Sequence, residues 1–166
     1  MHPLAFLIPL AAASTVTLQA QAQQPAQAPV VSVTLGVELR DQAENLGLRE
    51  LEDQAERLAR VVERALIGQA DFQGATVELV LVDIRPNRPT FAQVAASPGL
   101  DGMRSISTGG ATIEGVVTLA DGRRLPVRHY WYSSSLADVR GFGTWQDAYH
   151  AYDRFARRLA SGRLFS

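Results

Sequence analysis

The sequence predicts a two-layer α+β domain, in which a mainly antiparallel sheet of about four strands is covered on one face by two main helices. Three observations carry this expectation. Two long segments, Leu48 to Ile67 and Thr144 to Leu159, place apolar residues at three- and four-residue steps. Several shorter segments alternate with the period of a strand. Along the chain the order is strand, helix, strand, short helix, hairpin, helix.

The first segment reads as an address rather than as part of the fold. Pro3 to Leu18 is almost free of polar groups, but it is shorter than the about 20 residues that a membrane span requires. Ala20-Gln21-Ala22 follows it, an A-x-A cleavage signal. Residues 1–22 are therefore expected to be a secretory signal peptide, which points to a periplasmic protein. An uncleaved anchor is the alternative, because only the terminal amine and His2 supply positive charge ahead of the apolar run. Residues 23–29 are polar and rich in Gln and Pro, a flexible leader. Residues 30–166 form one globular domain, and no transmembrane segment is expected after cleavage. Cleavage after Ala22 leaves 144 of the 166 residues, enough to bury a core.

Within the domain, Val30 to Leu39 alternates β-branched and small residues as a strand does. A polar connection, Asp41 to Gly47, leads to a helix over Leu48 to Ile67. Its stripe is Leu51, Ala55, Leu58, Val62 and Leu66, with Gly68 as its stop. Acidic residues early in this helix and Arg late complement its dipole. Asp53–Arg57 and Glu56–Arg60 are spaced as i,i+4 pairs.

Thr76 to Arg85 is the strongest strand. Val77, Leu79 and Leu81 lie on one side and Val80, Val82 and Ile84 on the other, which indicates a central position. Pro86 and Pro89 end it, and Thr90 caps a short helix from Phe91 to Ala96. Met103 to Ala120 reads as a strand bent at Gly109-Gly110. Asp121-Gly122 makes a hairpin turn into Arg124 to Ser133, where Pro126 indicates an edge. After a polar loop, Thr144 opens the last helix, with Asp147 as the capping-box partner. Ala148, Tyr152, Phe155 and Leu159 form its stripe, and Gly162 ends it.

Composition excludes several chemistries. The chain has no Cys, so disulfides, Cys-ligated metals, thiol catalysis and a lipidated amino-terminal Cys are ruled out. All 16 basic residues are Arg, which rules out a catalytic Lys, a Schiff base and a P-loop. A formal net charge of −1 does not favour nucleic acid. That value hides an asymmetry. Glu38 to Asp83 holds 11 acidic residues against 5 Arg, whereas Gly122 to Ser166 holds 8 Arg against 3 Asp.

Taken together, Val31-Ser32-Val33-Thr34, Leu48 to Leu58, the Val80 to Ile84 segment with its Val-Asp-Ile, and GGATIEG…DG…PVRHYWY…TWQDA…DRFARRL have a collective likeness. They resemble an uncharacterised family of exported proteins of Gram-negative bacteria, a domain of unknown function. The segment from Phe91 to Gly110 is longer than the pattern of that family. The resemblance implies export and an α+β fold, and it implies no activity or catalytic residue.

The densest aromatic cluster is Arg128-His129-Tyr130-Trp131-Tyr132-Ser133. In a strand, His129, Trp131 and Ser133 share one face, and Arg128, Tyr130 and Tyr132 share the other. One reading is an aromatic binding face for a sugar, a peptide or a partner protein. The other is a strand with one face in the core and an ordinary amphipathic surface opposite. A second candidate region is the basic end of the last helix. Arg154, Arg157 and Arg158 suit an acidic partner or an anionic envelope component, although dipole compensation also explains them in part. Asp83, Arg85 and Arg88 flank the end of the strongest strand, where polar loops often carry sites, although a strand-ending ion pair beside a Pro-rich turn explains them as well.

Two catalytic patterns are weaker. Ser133, Ser134 or Ser135 with His129 or His150 and an Asp would make a hydrolase, but no G-x-S-x-G elbow is present. Asp147, His150 and Asp153 carry metal-ligand chemistry, but i to i+6 spacing prevents all three from facing one point. No catalytic residue, metal or cofactor is therefore assigned. The expectation is a non-enzymatic, envelope-associated binding module with Arg128, His129, Tyr130, Tyr132, Arg154, Arg157 and Arg158 as contact residues. The alternative is a small periplasmic hydrolase that uses His129 with a nearby Ser or Asp. The sequence leaves the oligomeric state open.

Overall fold

Four strands form one sheet, β1 (Val30–Leu35), β2 (Thr76–Arg85), β3 (Gly110–Thr118) and β4 (Arg124–Tyr132), in the order β1-β2-β3-β4. The computed structural model describes residues 27–139 and 141–165. The expected signal peptide lies outside the described residues. β1 runs parallel to β2, whereas β2–β3 and β3–β4 are antiparallel, so the sheet is mixed. The parallel pair follows from its connection, because a helix spanning the sheet returns the chain to the end from which β1 started. β4 is an edge strand and contains Pro126, as expected.

The helices are α1 (Val37–Asp41), α2 (Ala43–Leu46), α3 (Leu48–Leu66), α4 (Phe91–Ala96) and α5 (Gln146–Ala160). α3 and α5 pack against each other and on one face of the sheet. Their sequence-predicted stripes are buried, including Leu51, Leu58, Val62 and Leu66 of α3 and Tyr152, Phe155 and Leu159 of α5. They meet Val77, Leu79 and Leu81 of β2, Ile113 and Val117 of β3, and Val127 of β4. Gly68 and Gly162 follow α3 and α5 with φ of 80° and 72°, the left-handed conformation of a helix stop. Of the two expected ion pairs on α3, Glu56–Arg60 forms at 3.1 Å. Arg57 instead lies over the Tyr149 ring, 3.7 Å from its centroid, and ties α3 to α5.

Several boundaries differ from the sequence reading. The expected strand from Val30 to Leu39 ends at Leu35, α1 takes up its last residues, and the expected polar connection from Asp41 to Gly47 contains α2. The Gly36 N–H makes the last contact with β2, at Leu81 O (2.9 Å), and a Cβ on Gly36 would stand 3.2 Å from the Val82 Cα. The chain turns there. Leu39 is then buried from a helical turn, while Val37 faces solvent.

In β2 the register shifts between Leu81 and Asp83, a bulge at Val82. Ile84 therefore joins Val77, Leu79 and Leu81 in the core, not Val80 and Val82 as strict alternation required. The expected strand from Met103 is also shorter, since β3 starts at Gly110. The segment before it bonds to the loop after β2. Ser107 N donates to Asn87 O (2.9 Å) and Ser107 Oγ to Pro86 O (2.7 Å). α4 has the expected bounds, and Thr90 and Gln93 make a reciprocal capping box.

Close packing of β3 against β2 depends on Gly115. A Cβ there would collide with Glu78 O and stand 2.9 Å from the Leu79 Cα. Gly115→Ala is expected to destabilise the fold by about 2 kcal/mol or more, because backbone on a central strand cannot move aside cheaply. Denaturant unfolding of the variant checks this.

Candidate functional site

β4 divides the expected contact residues between two environments. Arg128, Tyr130 and Tyr132 project from the face that α3 and α5 leave open, and they alternate with Val127, His129 and Trp131 on the covered face. Tyr130 is 69% exposed, and its ring centroid lies 4.7 Å from that of Tyr132. Tyr132 is held firmly. Its hydroxyl donates to Asp83 Oδ2 (2.6 Å) and hydrogen-bonds Thr112 Oγ1 (3.1 Å), while the Arg85 guanidinium lies over its ring. Burial, and then the bond to Asp83, push the Tyr132 pKa well above that of a free phenol. Charges on this face are matched, with Arg128–Glu114 at 3.1 Å and Arg85–Asp83 at 3.5 Å.

His129 belongs to the core. It is 5% exposed, with its ring 6.0 Å from that of Phe155. Its Nε2 has no hydrogen-bond partner among the described residues. Burial, followed by the charges of Arg158 and Arg154, holds its pKa below the usual 6.5. No hydrogen bond joins His129 to a Ser or Asp among the described residues, and its ring packs against Phe155 instead.

The basic residues of α5 lie in the other layer. Arg157 and Arg158 are exposed, and Arg154 stacks 5.1 Å from the Trp131 ring centroid. His150 meets the same indole edge-on at 6.1 Å. The seven expected contact residues therefore do not form one surface. Three sit on the open face, one is in the core, and three are on α5.

A buried polar cluster surrounds Asp147, which is 1% exposed. The expected pairing with Thr144 does not occur. Trp145 occupies the cap position without a side-chain cap. Asp147 Oδ2 instead accepts from Asn87 Nδ2 (2.6 Å), Ser133 Oγ (2.6 Å) and Gly109 N (3.1 Å). Asn87 Oδ1 accepts from Asp147 N (2.8 Å), so a residue 60 positions away satisfies the first turn of α5. The Ser133 hydroxyl is thus committed to Asp147 as a donor. Ser134 and Ser135 both bond Asp138.

A cavity of about 420 Å³ beside this cluster is lined by Trp131, Ser133, Asp138, Asp147, His150 and Arg154. Asp147 is buried, while His150 and Asp153 are exposed, so the helix directs them differently. Among the described residues, no group of three His, Asp or Glu side chains is placed to hold a metal ion.

Sequence reasoning missed Asn87. The available signal was an Asn between two prolines at the end of the strongest strand, a place suited to side-chain hydrogen bonding. Comparison with known protein families yields no match, and no curated protein is significantly similar to the chain. The reading of the site accordingly rests on its geometry.

Asp147→Ala would remove the buried acceptor that Asn87, Gly109 and Ser133 share, leaving them only their bonds to Ser107 O and to each other, and is expected to cost about 2 kcal/mol or more, measurable by denaturant unfolding. His129 gives a prediction in pH. Its folded pKa lies below the unfolded value, so the unfolded chain binds the extra proton, and stability should fall as pH drops through 6.5. His129→Leu should flatten that slope between about pH 7.5 and 5.5 in a series of thermal melts.

Proposed function

We propose that the chain is an exported, envelope-associated binding module without catalytic activity of its own, and that it holds a partner protein on the open face of its sheet. Export is the reading of residues 1–22, and the resemblance to exported proteins of Gram-negative bacteria agrees with it. The observation that carries the binding role is the exposed Tyr130, whose ring rests at a tilt against a Tyr132 ring that is fixed from behind by Asp83 and Thr112. An anchored aromatic loses little freedom on binding, and Tyr and Arg are the residues over-represented in protein interfaces.

A protein partner fits this face better than an anionic lipid surface, because Arg128 and Arg85 are already matched by Glu114 and Asp83. Paired charges of this kind favour register and specificity over bulk attraction. Arg157 and Arg158 of α5 are a separate, salt-sensitive contribution toward an anionic envelope component.

A photo-crosslinking side chain at position 130, introduced in cells, is expected to give an adduct with a discrete envelope protein. The adduct should be lost when Arg128→Glu is added, while Tyr130→Ala should leave stability within about 0.5 kcal/mol. Recovery of the uncrosslinked chain alone, together with turnover of an ester or glycoside panel by the purified protein, would overturn the proposal. Charge reversal at Arg157 and Arg158 should weaken co-fractionation with envelope membranes and leave the position-130 adduct in place.

A further inference from the structure

The segment between β2 and β3, which includes α4, lines an open cavity of about 490 Å³ together with Asn45 of α2. That volume is in the range of small-molecule sites. Its lining has two cations, Arg85 and Arg88, hydroxyls from Ser97, Ser105 and Thr108, and no acidic residue. We propose that it binds a small solute bearing an oxyanion, a phosphate or carboxylate group, with Arg88 supplying the charge that recognises it.

Arg88 carries the argument. It is 6% exposed, and a guanidinium cannot shed its charge by losing a proton. Among the described residues its hydrogen bond goes to the Met103 carbonyl, it makes no ion pair, and its nearest aromatic partner is the Phe142 ring at 5.5 Å. One carbonyl uses a fraction of five donors and neutralises none of the charge. Burial of a cation without a counter-charge is costly, and a bound oxyanion would supply the missing charge. The planar fork of Arg matches the two oxygens of a phosphate or carboxylate.

Arg85 differs from Arg88. It is exposed and shares its charge with Asp83, so Arg88 is the buried and unpaired cation of the lining. The hydroxyls suit the polar body of the solute, and Ile106, Leu100, Pro86 and Pro89 give apolar walls. The position of Arg88 has a local cause. Pro86 and Pro89 bracket it, Asn87 is fixed to Asp147, and Thr90 caps α4, so the backbone on both sides is held. The site is thereby pre-organised by the same hydrogen bonds that secure α5.

The test is calorimetric titration of the purified protein with inorganic phosphate and with malonate, alongside flotation with phosphatidylglycerol vesicles. One-site binding of either free anion supports a soluble ligand. Vesicle binding that Arg88→Met abolishes supports the same site with a lipid headgroup as the source of the oxyanion. Arg88→Met is expected to weaken binding about ten-fold or more. It should also melt at or above the wild-type temperature in the absence of anion, since an uncompensated buried charge is removed. Ser105→Glu places a carboxylate in the cavity, and is expected to raise the melting temperature and to abolish anion binding. The proposal is overturned if neither free anion nor vesicle binds more tightly than about 1 mM, or if the Ser105→Glu protein binds phosphate as the wild type does.

Discussion

The buried carboxylate of Asp147 is the point at which the separate parts of this molecule are tied together. A carboxylate removed from water is tolerable only when its oxygens are supplied with donors. Here the donors come from three places in the chain, Asn87 after β2, Gly109 before β3 and Ser133 after β4. One oxygen atom thus fixes the ends of three strands relative to the first turn of α5. The backbone of that turn is satisfied in return by Asn87 Oδ1, so the helix start and the loop depend on each other. Around this polar centre the packing is conventional: two amphipathic helices cover one face of a twisted sheet.

Much of this architecture is legible in the sequence, because local chemistry alone decides it. The stripe from Leu51 to Leu66, the Thr90 cap and the Asp121-Gly122 turn each carry their own signal, and each forms as read. The departures share a cause. Val37 and Leu39 continue an alternating pattern, but pairing with β2 ends at Leu81 and the chain folds into helical turns. Thr144 and Asp147 have capping-box spacing, but Asp147 finds stronger donors on distant segments. In both cases a long-range contact overrides a local preference, and no window of neighbouring residues contains that contact.

The candidate site shows the same division. The alternation of β4 places Arg128, Tyr130 and Tyr132 together and sends His129 into the core, as a strand period requires. Which of the two faces would be covered depended on where α3 and α5 dock, and that is a property of the whole sheet. The Arg-rich end of α5 is adjacent to β4 in composition but belongs to the other layer. Arg88 was visible only as one member of a polar strand end. Its burial without a counter-charge emerges from the loop that closes over it.

The bulge at Val82 has a wider effect than its size suggests. It makes β2 a strand of two phases, so that residues before it and after it obey opposite rules for which side chain meets water. Were the same residues to alternate strictly, with no bulge, Asp83 would point beneath the helices and Ile84 toward solvent. The bond that steadies Tyr132 and the carboxylate that tempers Arg85 would both be lost from the open face. A single inserted backbone unit thus lets one continuous strand serve the core along most of its length and equip a surface at its end.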